Sequence, residues 1–118
     1  MDGRFLIYEG FGNEAENLFR NFCNKFNFKI ITSSDSGVYF SNSKCQLTIV
    51  SEGSLQLWIK YQRAPEQEMI PRLCIIKGPE VINRYREIIT QKISAQVMIE
   101  LIEFLTFYFN LEFSEDYL

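Results

Sequence analysis

After a short apolar segment, the chain enters a pattern in which an apolar residue returns every three or four positions, as on one face of an α-helix. The residues of this pattern are Ala15, Leu18, Phe19, Phe22 and Phe26. Asn13 followed by Glu16 has the form of a capping box at a helix start. We therefore predict an amphipathic helix over residues 13–27, preceded at residues 5–8 by a short strand or a hydrophobic arm.

Residues 28–62 change to runs rich in Ile, Val, Tyr, Phe and Thr, separated by short polar segments. This change predicts an antiparallel meander of β-strands. In its last hairpin, a three-residue loop at residues 52–54 would place the apolar residues of both strands on one face, and Gly53 suits a positive φ there. The residues of that face are Cys45, Leu47, Ile49, Leu55, Leu57, Ile59 and Tyr61.

Trp58, the only tryptophan of the chain, falls on the opposite face of this hairpin. Its neighbours on that face are Gln46, Thr48, Val50, Gln56 and Lys60. Two interpretations stay open. Another element covers Trp58, or Trp58 is an aromatic anchor for a protein partner, since tryptophan is enriched at binding hot spots.

The segment after the hairpin, residues 63–71, contains two prolines and the acidic pair Glu66 and Glu68, which indicates a loop. Residues 72–77 predict a further strand. A helix should follow from Gly78, because proline favours the first helical turn and an acid complements the helix dipole. Its apolar stripe consists of Val81, Ile82, Tyr85, Ile88 and Ile89.

The apolar stripe of this helix drifts after residue 92, which predicts a break near Ser94 and a last helix over residues 95–111. The polar residues of the last helix form one narrow band, which consists of Gln96, Glu100, Glu103, Thr106 and Asn110. Ile99 and Phe107 fall inside that band, where they suggest a patch for a partner or a second copy of the chain. The alternative is that the chain's own termini cover them.

The predicted fold class is α+β. It consists of an antiparallel β-meander of four to five strands packed against an N-terminal helix and one or two C-terminal helices. The chain has 118 residues, of which 47% are hydrophobic and 23% charged, as expected of one folded domain over residues 1–118.

Composition limits the chemistry. Histidine is absent, which removes the commonest general base and the commonest zinc ligand. The net charge of −3 argues against direct binding of nucleic acid, because phosphate binding depends on clustered Lys and Arg. The pair Glu100 and Glu103 is interpreted as part of a solvent stripe rather than as catalytic carboxylates. We expect a protein that is not an enzyme and uses no cofactor or metal.

The three cysteines, Cys23, Cys45 and Cys74, are widely spaced and form no metal-binding or redox motif, so we expect buried reduced thiols. The first residues contain too short an apolar run for a signal peptide. Residues 97–113 are strongly apolar but are interrupted by polar residues and fall short of the roughly 20 apolar residues that a bilayer requires. We expect a cytoplasmic protein without membrane contact.

Charge is distributed unevenly along the chain. Residues 1–92 hold all 12 basic residues and 10 acids, whereas residues 93–118 hold five acids and no base. One interpretation is a solvated acidic tail. The other is an acidic face, with Glu112, Glu115, Asp116 and Tyr117, that steers a cationic protein into contact.

The layout of one helix, a meander and C-terminal helices, with aromatic-rich strands at residues 37–41 and 55–59, resembles the immunity proteins of bacterial polymorphic toxin and contact-dependent growth inhibition systems. The resemblance covers most of the chain but includes no motif from which residue roles could be carried over. It implies a protein that binds one cognate toxin domain and blocks its active site or substrate entry. Carboxylates would then occupy the places of phosphates in a basic cleft.

The candidate partner-binding residues are Trp58, Glu66, Glu68, Phe107, Glu112, Glu115, Asp116 and Tyr117. The expected partner is a cognate protein toxin, and a homodimer through the last helix is left open. The alternative function is a small acidic homodimeric secretion chaperone that binds an effector segment. A third hypothesis is a structural subunit whose last helix docks into a larger assembly.

Overall fold

A computed structural model describes residues 9–117 of the chain, with the side chain of Tyr117 left out. The strand or arm expected at residues 5–8 lies outside this part. The strands are β1 (Lys29–Ser34), β2 (Gly37–Ser41), β3 (Cys45–Glu52), β4 (Ser54–Tyr61) and β5 (Glu68–Met69). They form one antiparallel sheet in the order of the chain, which confirms the predicted meander.

Within residues 9–117, six helices complete the α+β architecture. They are α1 (Phe11–Leu18), α2 (Arg20–Phe26), α3 (Ile70–Lys77), α4 (Pro79–Ile89), α5 (Ala95–Tyr108) and α6 (Asn110–Phe113). A single 3₁₀ turn over Glu115–Tyr117 follows α6. The predicted class, with an N-terminal helix and C-terminal helices around an antiparallel sheet, is confirmed.

The register of the β3–β4 hairpin agrees with the prediction. Ser51 pairs with Leu55 across a turn in which Gly53 has a φ of 79°. The apolar residues of both strands therefore share one face, the inner face, which packs against the helices. Tyr61 is the exception among them, since it remains half-buried where the others are fully buried.

The core continues from this inner face into a cluster of phenylalanine rings between the sheet and the terminal helices. Its rings are Phe19, Phe22, Phe26, Phe28, Phe40 and Phe113. Glycine at position 12 allows α1 to lie close to β1, because a Cβ atom there would stand 2.9 Å from Ser33 Oγ and from the Ser34 carbonyl group.

The first helix differs from the prediction in its start and its continuity. It begins at Phe11, preceded by Gly10 with a φ of 79°, so the capping box at Asn13 is wrong. It is also interrupted at Phe19, whose backbone leaves the helical region and separates α1 from α2. The predicted buried stripe holds across this interruption, because Phe19 itself remains buried beside Phe22 and Phe26.

Residues 72–77, predicted as a strand, belong instead to helix α3. A short apolar run has no clear period, and Pro71 in the first turn favours a helix start. Ile70 and Cys74, one turn apart, form the buried side. The fifth strand is therefore the short segment β5 just before α3.

Helix α4 and the start of α5 follow the prediction. Helix α4 ends at Ile89, close to the predicted break, and Ser94 caps α5 by accepting a hydrogen bond from the Val97 amide at 3.2 Å. The predicted last helix is interrupted at Phe109, which divides it into α5 and α6. A short loop over residues 90–94 joins α4 to α5. Helix α5 therefore packs alongside α4, and one groove runs between the solvent faces of the two helices.

Candidate protein-binding surfaces

The groove between α4 and α5, called here the α4–α5 groove, has a volume of about 500 Å³. Its lining residues are Glu80, Asn83, Arg84, Glu87, Glu100, Glu103, Phe104, Phe107 and Tyr108. On α4 the residues at positions 80, 84 and 87 share one helix face by spacing alone. The groove therefore joins the polar face of one amphipathic helix to the polar band of the next.

Phe107 is the most unusual member of the groove because 77% of its surface is exposed. Its ring meets the Tyr108 ring edge to face, with the centroids 4.8 Å apart, and Tyr108 in turn lies 5.0 Å from Phe104 in the core. Ile99, Glu103 and Phe107 follow one another at four-residue spacing, so they form a continuous line along α5. Ile99 and Phe107 are both exposed, so within residues 9–117 the chain does not cover them as one of the two interpretations expected.

The charges of the groove are mostly negative, with four glutamates and one arginine. Arg84 lies between two of them, with its guanidinium nitrogens 3.3 Å from Glu87 and 3.3 Å from Glu100. Partial burial lowers the pKa of Arg84, but the hydrogen bonds to Glu87 and Glu100 outweigh it and raise that pKa. Within the described residues, the carboxylates of Glu80 and Glu103 have no hydrogen-bond or ion-pair partner.

Trp58 lies on a separate surface, the outer face of the sheet, opposite the helices. It is half-buried within a row of side chains that the strand register places side by side across four strands. The row consists of Tyr39, Thr48, Trp58 and Met69. Trp58 and Phe107 therefore belong to two different surfaces, and a small partner would contact one of them.

The acidic pair Glu66 and Glu68 is exposed at the β5 edge of the sheet. Glu68 pairs with Ile59 in β4, directly next to the pairing of Trp58 with Met69. Because directly paired residues share a face of the sheet, the side chain of Glu68 lies on the Ile59 face, opposite that of Trp58, and the fold does not join Glu68 and the tryptophan in one surface.

The predicted acidic face at the C-terminus is largely engaged by the chain itself. Lys77 Nζ lies 2.7 Å from one carboxylate oxygen of Glu112 and donates a hydrogen bond to the other at 3.1 Å. Asp116 is exposed, and the side chain of Tyr117 lies outside the described part. Of this group, Asp116 presents its charge to solvent.

Glu115 attaches the C-terminal segment to two loops through hydrogen bonds. Its carboxylate accepts a hydrogen bond from Asn27 Nδ2 at 2.9 Å, one from the Ser43 amide at 2.8 Å, and one from the Ser43 hydroxyl. These hydrogen bonds, that of the Ser43 hydroxyl first, lower the pKa of Glu115. The ionised carboxylate therefore stabilises the attachment of the C-terminus.

Replacing Glu115 by glutamine should lower the melting temperature by a few degrees at neutral pH and by much less at about pH 3. A carboxyl group whose pKa is lowered in the folded state stabilises the protein above its ordinary pKa of about 4.3, and that contribution is lost as the pH falls through the folded-state value. Thermal denaturation at both pH values measures this, with the exposed Glu52→Gln as control. An equal loss at both pH values would contradict the assignment.

The three thiols lie in the core, where burial raises the pKa of Cys23 to about 11 and those of Cys45 and Cys74 to about 12. They remain protonated at neutral pH and are poor nucleophiles. Across residues 9–117, no cluster of potential ligands is suited to a metal ion. In the same part of the chain, none of the helices is both long and apolar enough to span a bilayer.

Comparisons of the chain with protein-family models, with curated proteins and with solved structures gave no match. The sequence pattern identified Phe107 but indicated that Glu103 and the polar side of α4 are ordinary solvent faces. The spacing of Glu80, Arg84 and Glu87 was the available signal for that half of the groove.

Proposed function

We propose that this chain is a non-catalytic protein-binding module that acts as an immunity protein, binding a cognate toxin domain and blocking its activity. The observation that carries the proposal is the exposed Phe107 beside the unpaired carboxylates of Glu80 and Glu103. Phenylalanine is enriched in the buried centres of protein interfaces, and an aromatic ring left in water is unfavourable in a free monomer.

Charge supports a cationic partner. The groove carries four carboxylates against one guanidinium, and the whole chain has a net charge of −3. Such a surface accelerates encounter with a basic protein and disfavours acidic competitors. A toxin with a basic substrate cleft has the complementary charge, and a cytoplasmic location, where such a toxin would act, is part of the same proposal.

Residue chemistry supports binding rather than catalysis. The groove combines glutamates, one arginine, one asparagine and aromatic rings, and the chain contains no histidine. The cysteine thiols lie in the core with raised pKa values rather than in the groove. A nucleophile activated by a neighbouring base, which most covalent mechanisms need, is therefore not offered by this surface.

The test is to recover the stoichiometric partner of the tagged chain from its native host and to express that partner in a second bacterium, alone and together with the chain. We expect the partner to arrest growth when expressed alone and growth to return with the chain. A partner that leaves growth unaffected, or arrest that the chain does not relieve, contradicts the proposal.

A measurement of molecular mass in solution distinguishes the proposed function from the alternative function, a homodimeric secretion chaperone. The proposal expects the free chain to be a monomer by light scattering, because the unpaired acids of its groove would repel a second copy. A stable homodimer that holds an unstructured effector segment would contradict it and favour a secretion chaperone.

A further inference from the structure

We propose that the α4–α5 groove binds a cationic amphipathic helix of its protein partner, whose Lys or Arg side chains reach Glu80 and Glu103 while its apolar side packs on Phe107. This inference rests on the proposed function in taking the partner to be a protein. It adds which surface binds and which chemistry the bound segment has.

The apolar half of this surface is a line of exposed side chains along α5. On α5, Ile99 is 38% exposed and Phe107 is 77% exposed, while Leu111, which is 58% exposed, belongs to α6 beyond the interruption at Phe109. Regular spacing of apolar residues along one helix face is the pattern by which helices recognise an amphipathic partner helix in a groove. Phe107, which rests on the Tyr108 ring, is held in position to act as the central anchor.

Two further exposed apolar residues lie near the junction of α3 and α6. Lys77, the last residue of α3, forms an ion pair with Glu112 at 2.7 Å and stands 5.0 Å from the centre of the Phe109 ring. These contacts hold the end of α3 beside α6. Ile76, which precedes Lys77 and is 79% exposed, therefore lies at the same end of the helical layer as Leu111.

The charged residues of the α4–α5 groove determine which charge the bound segment must carry. Arg84 is already engaged by Glu87 and Glu100, so it leaves the negative charges of Glu80 and Glu103 uncompensated. Both of these glutamates line the groove together with Phe107. A segment that covers the ring must therefore bring cations for the two carboxylates, because an acidic or neutral segment would desolvate them without compensation.

A second copy of the chain is a poor occupant of this surface. In a two-fold symmetric contact the same patch meets itself, so the carboxylates of one groove would face those of the other. The groove carries three more negative than positive groups, which makes such a contact repulsive. Charge complementarity therefore favours a different, basic protein over a homodimer through the last helix.

The experiment uses a fluorescent synthetic helix of leucine and lysine in amphipathic order as the probe. The comparison peptides are the same helix with glutamate in place of lysine and a scrambled sequence of the leucine–lysine composition. Fluorescence anisotropy should give at least about tenfold tighter binding for the amphipathic cationic peptide than for either comparison peptide.

Three variants test the site, namely Glu80→Lys, Glu103→Lys and Phe107→Ala. Each should weaken binding of the cationic peptide about tenfold or more. Two matched controls lie away from the groove: Glu52→Lys makes the same charge change at the hairpin, and Ile31→Ala removes an exposed apolar side chain in β1. Both controls should bind like the parent chain, and circular dichroism verifies that every variant is folded.

Equal binding of the glutamate peptide, or equal weakening by the control variants, would overturn the inference, because binding would then be nonspecific. The outcome is independent of the growth test. If growth is restored but the groove variants restore it equally well, the assignment of the groove fails while the proposed function stands. If the groove binds the cationic peptide but the recovered partner does not arrest growth, the proposed function fails.

Discussion

Replacing Asn42 by aspartate should lower the free energy of unfolding by about 4 kcal/mol at neutral pH. Asn42 is buried in the β2–β3 turn, and its amide nitrogen donates to the carbonyl oxygens of Phe26 and Phe113 at 2.8 and 3.0 Å. Its amide oxygen accepts from the backbone amides of Lys44 and Cys45, both at 2.9 Å. One side chain thus connects the turn to the ends of α2 and α6.

Asn42→Asp keeps the acceptor but replaces the donor by an oxygen that faces two carbonyl groups. The buried negative charge is then unpaired, so protonation is favoured in the folded state and the pKa of the introduced carboxyl group rises above its unfolded value of about 3.9. The loss of stability should therefore be smallest below that pH and should grow as the pH rises through the folded-state pKa.

Urea unfolding at neutral and acidic pH measures this loss. Asn24→Asp is the matched control, because it makes the same chemical change at an exposed position of α2. A difference between the two variants of less than about 1 kcal/mol at neutral pH would show that Asn42 does not hold the two helix ends.

The second large effect is expected at Phe22, where replacement by alanine should cost about 4 kcal/mol of folding free energy. The ring of Phe22 lies at the centre of the aromatic cluster, with five neighbouring ring centroids between 5.1 and 6.4 Å away. Truncation leaves a cavity that the sheet and the two terminal parts of the chain cannot fill without moving.

Phe107→Ala is the control for this prediction, since the same truncation at a 77% exposed position should leave the urea midpoint nearly unchanged. The two phenylalanines should thus separate stability from binding, with Phe22 needed for the fold and Phe107 for the partner. A similar loss of stability in both variants would contradict this division of roles.

The sheet and its register were predictable because alternation decides which face each strand residue occupies. A one-residue slip at Gly53 would have exposed Leu47 and Ile59, so the hairpin had one acceptable pairing. Helix α4 and the position of Phe107 in the polar band of the last helix followed from helical spacing in the same way. These features depend on local pattern, which a single sequence contains.

Other features depend on contacts that local pattern does not record. The short apolar run of α3 had no clear period, so its strand assignment was wrong. Glu115 finds its partners 72 and 88 residues away in sequence, and Glu112 pairs with a lysine 35 residues away. The sequence alone therefore did not indicate that these carboxylates have partners. In the fold, a lysine neutralises Glu112, and hydrogen bonds hold Glu115 in place.

The α4–α5 groove lies between these cases. Each of its helices was predicted to have a polar side, but the volume between them depends on how closely the helices pack and on where the loop at residues 90–94 turns the chain. The pairing of Arg84 with Glu87 and Glu100, which leaves Glu80 and Glu103 unpaired, likewise depends on that packing. Trp58 on the outer face of the sheet, and Glu66 and Glu68 at its β5 edge, remain predicted partner-binding residues.

Amide hydrogen exchange of the chain, measured alone and in complex with the partner recovered from the host, most directly tests whether the molecule works by docking a protein on its helical layer. We predict slower exchange in the complex at residues 80–87 and 99–111, with β2 and β4 nearly unchanged. Protection confined to the strands around Trp58, or no change anywhere in the chain, would contradict the account.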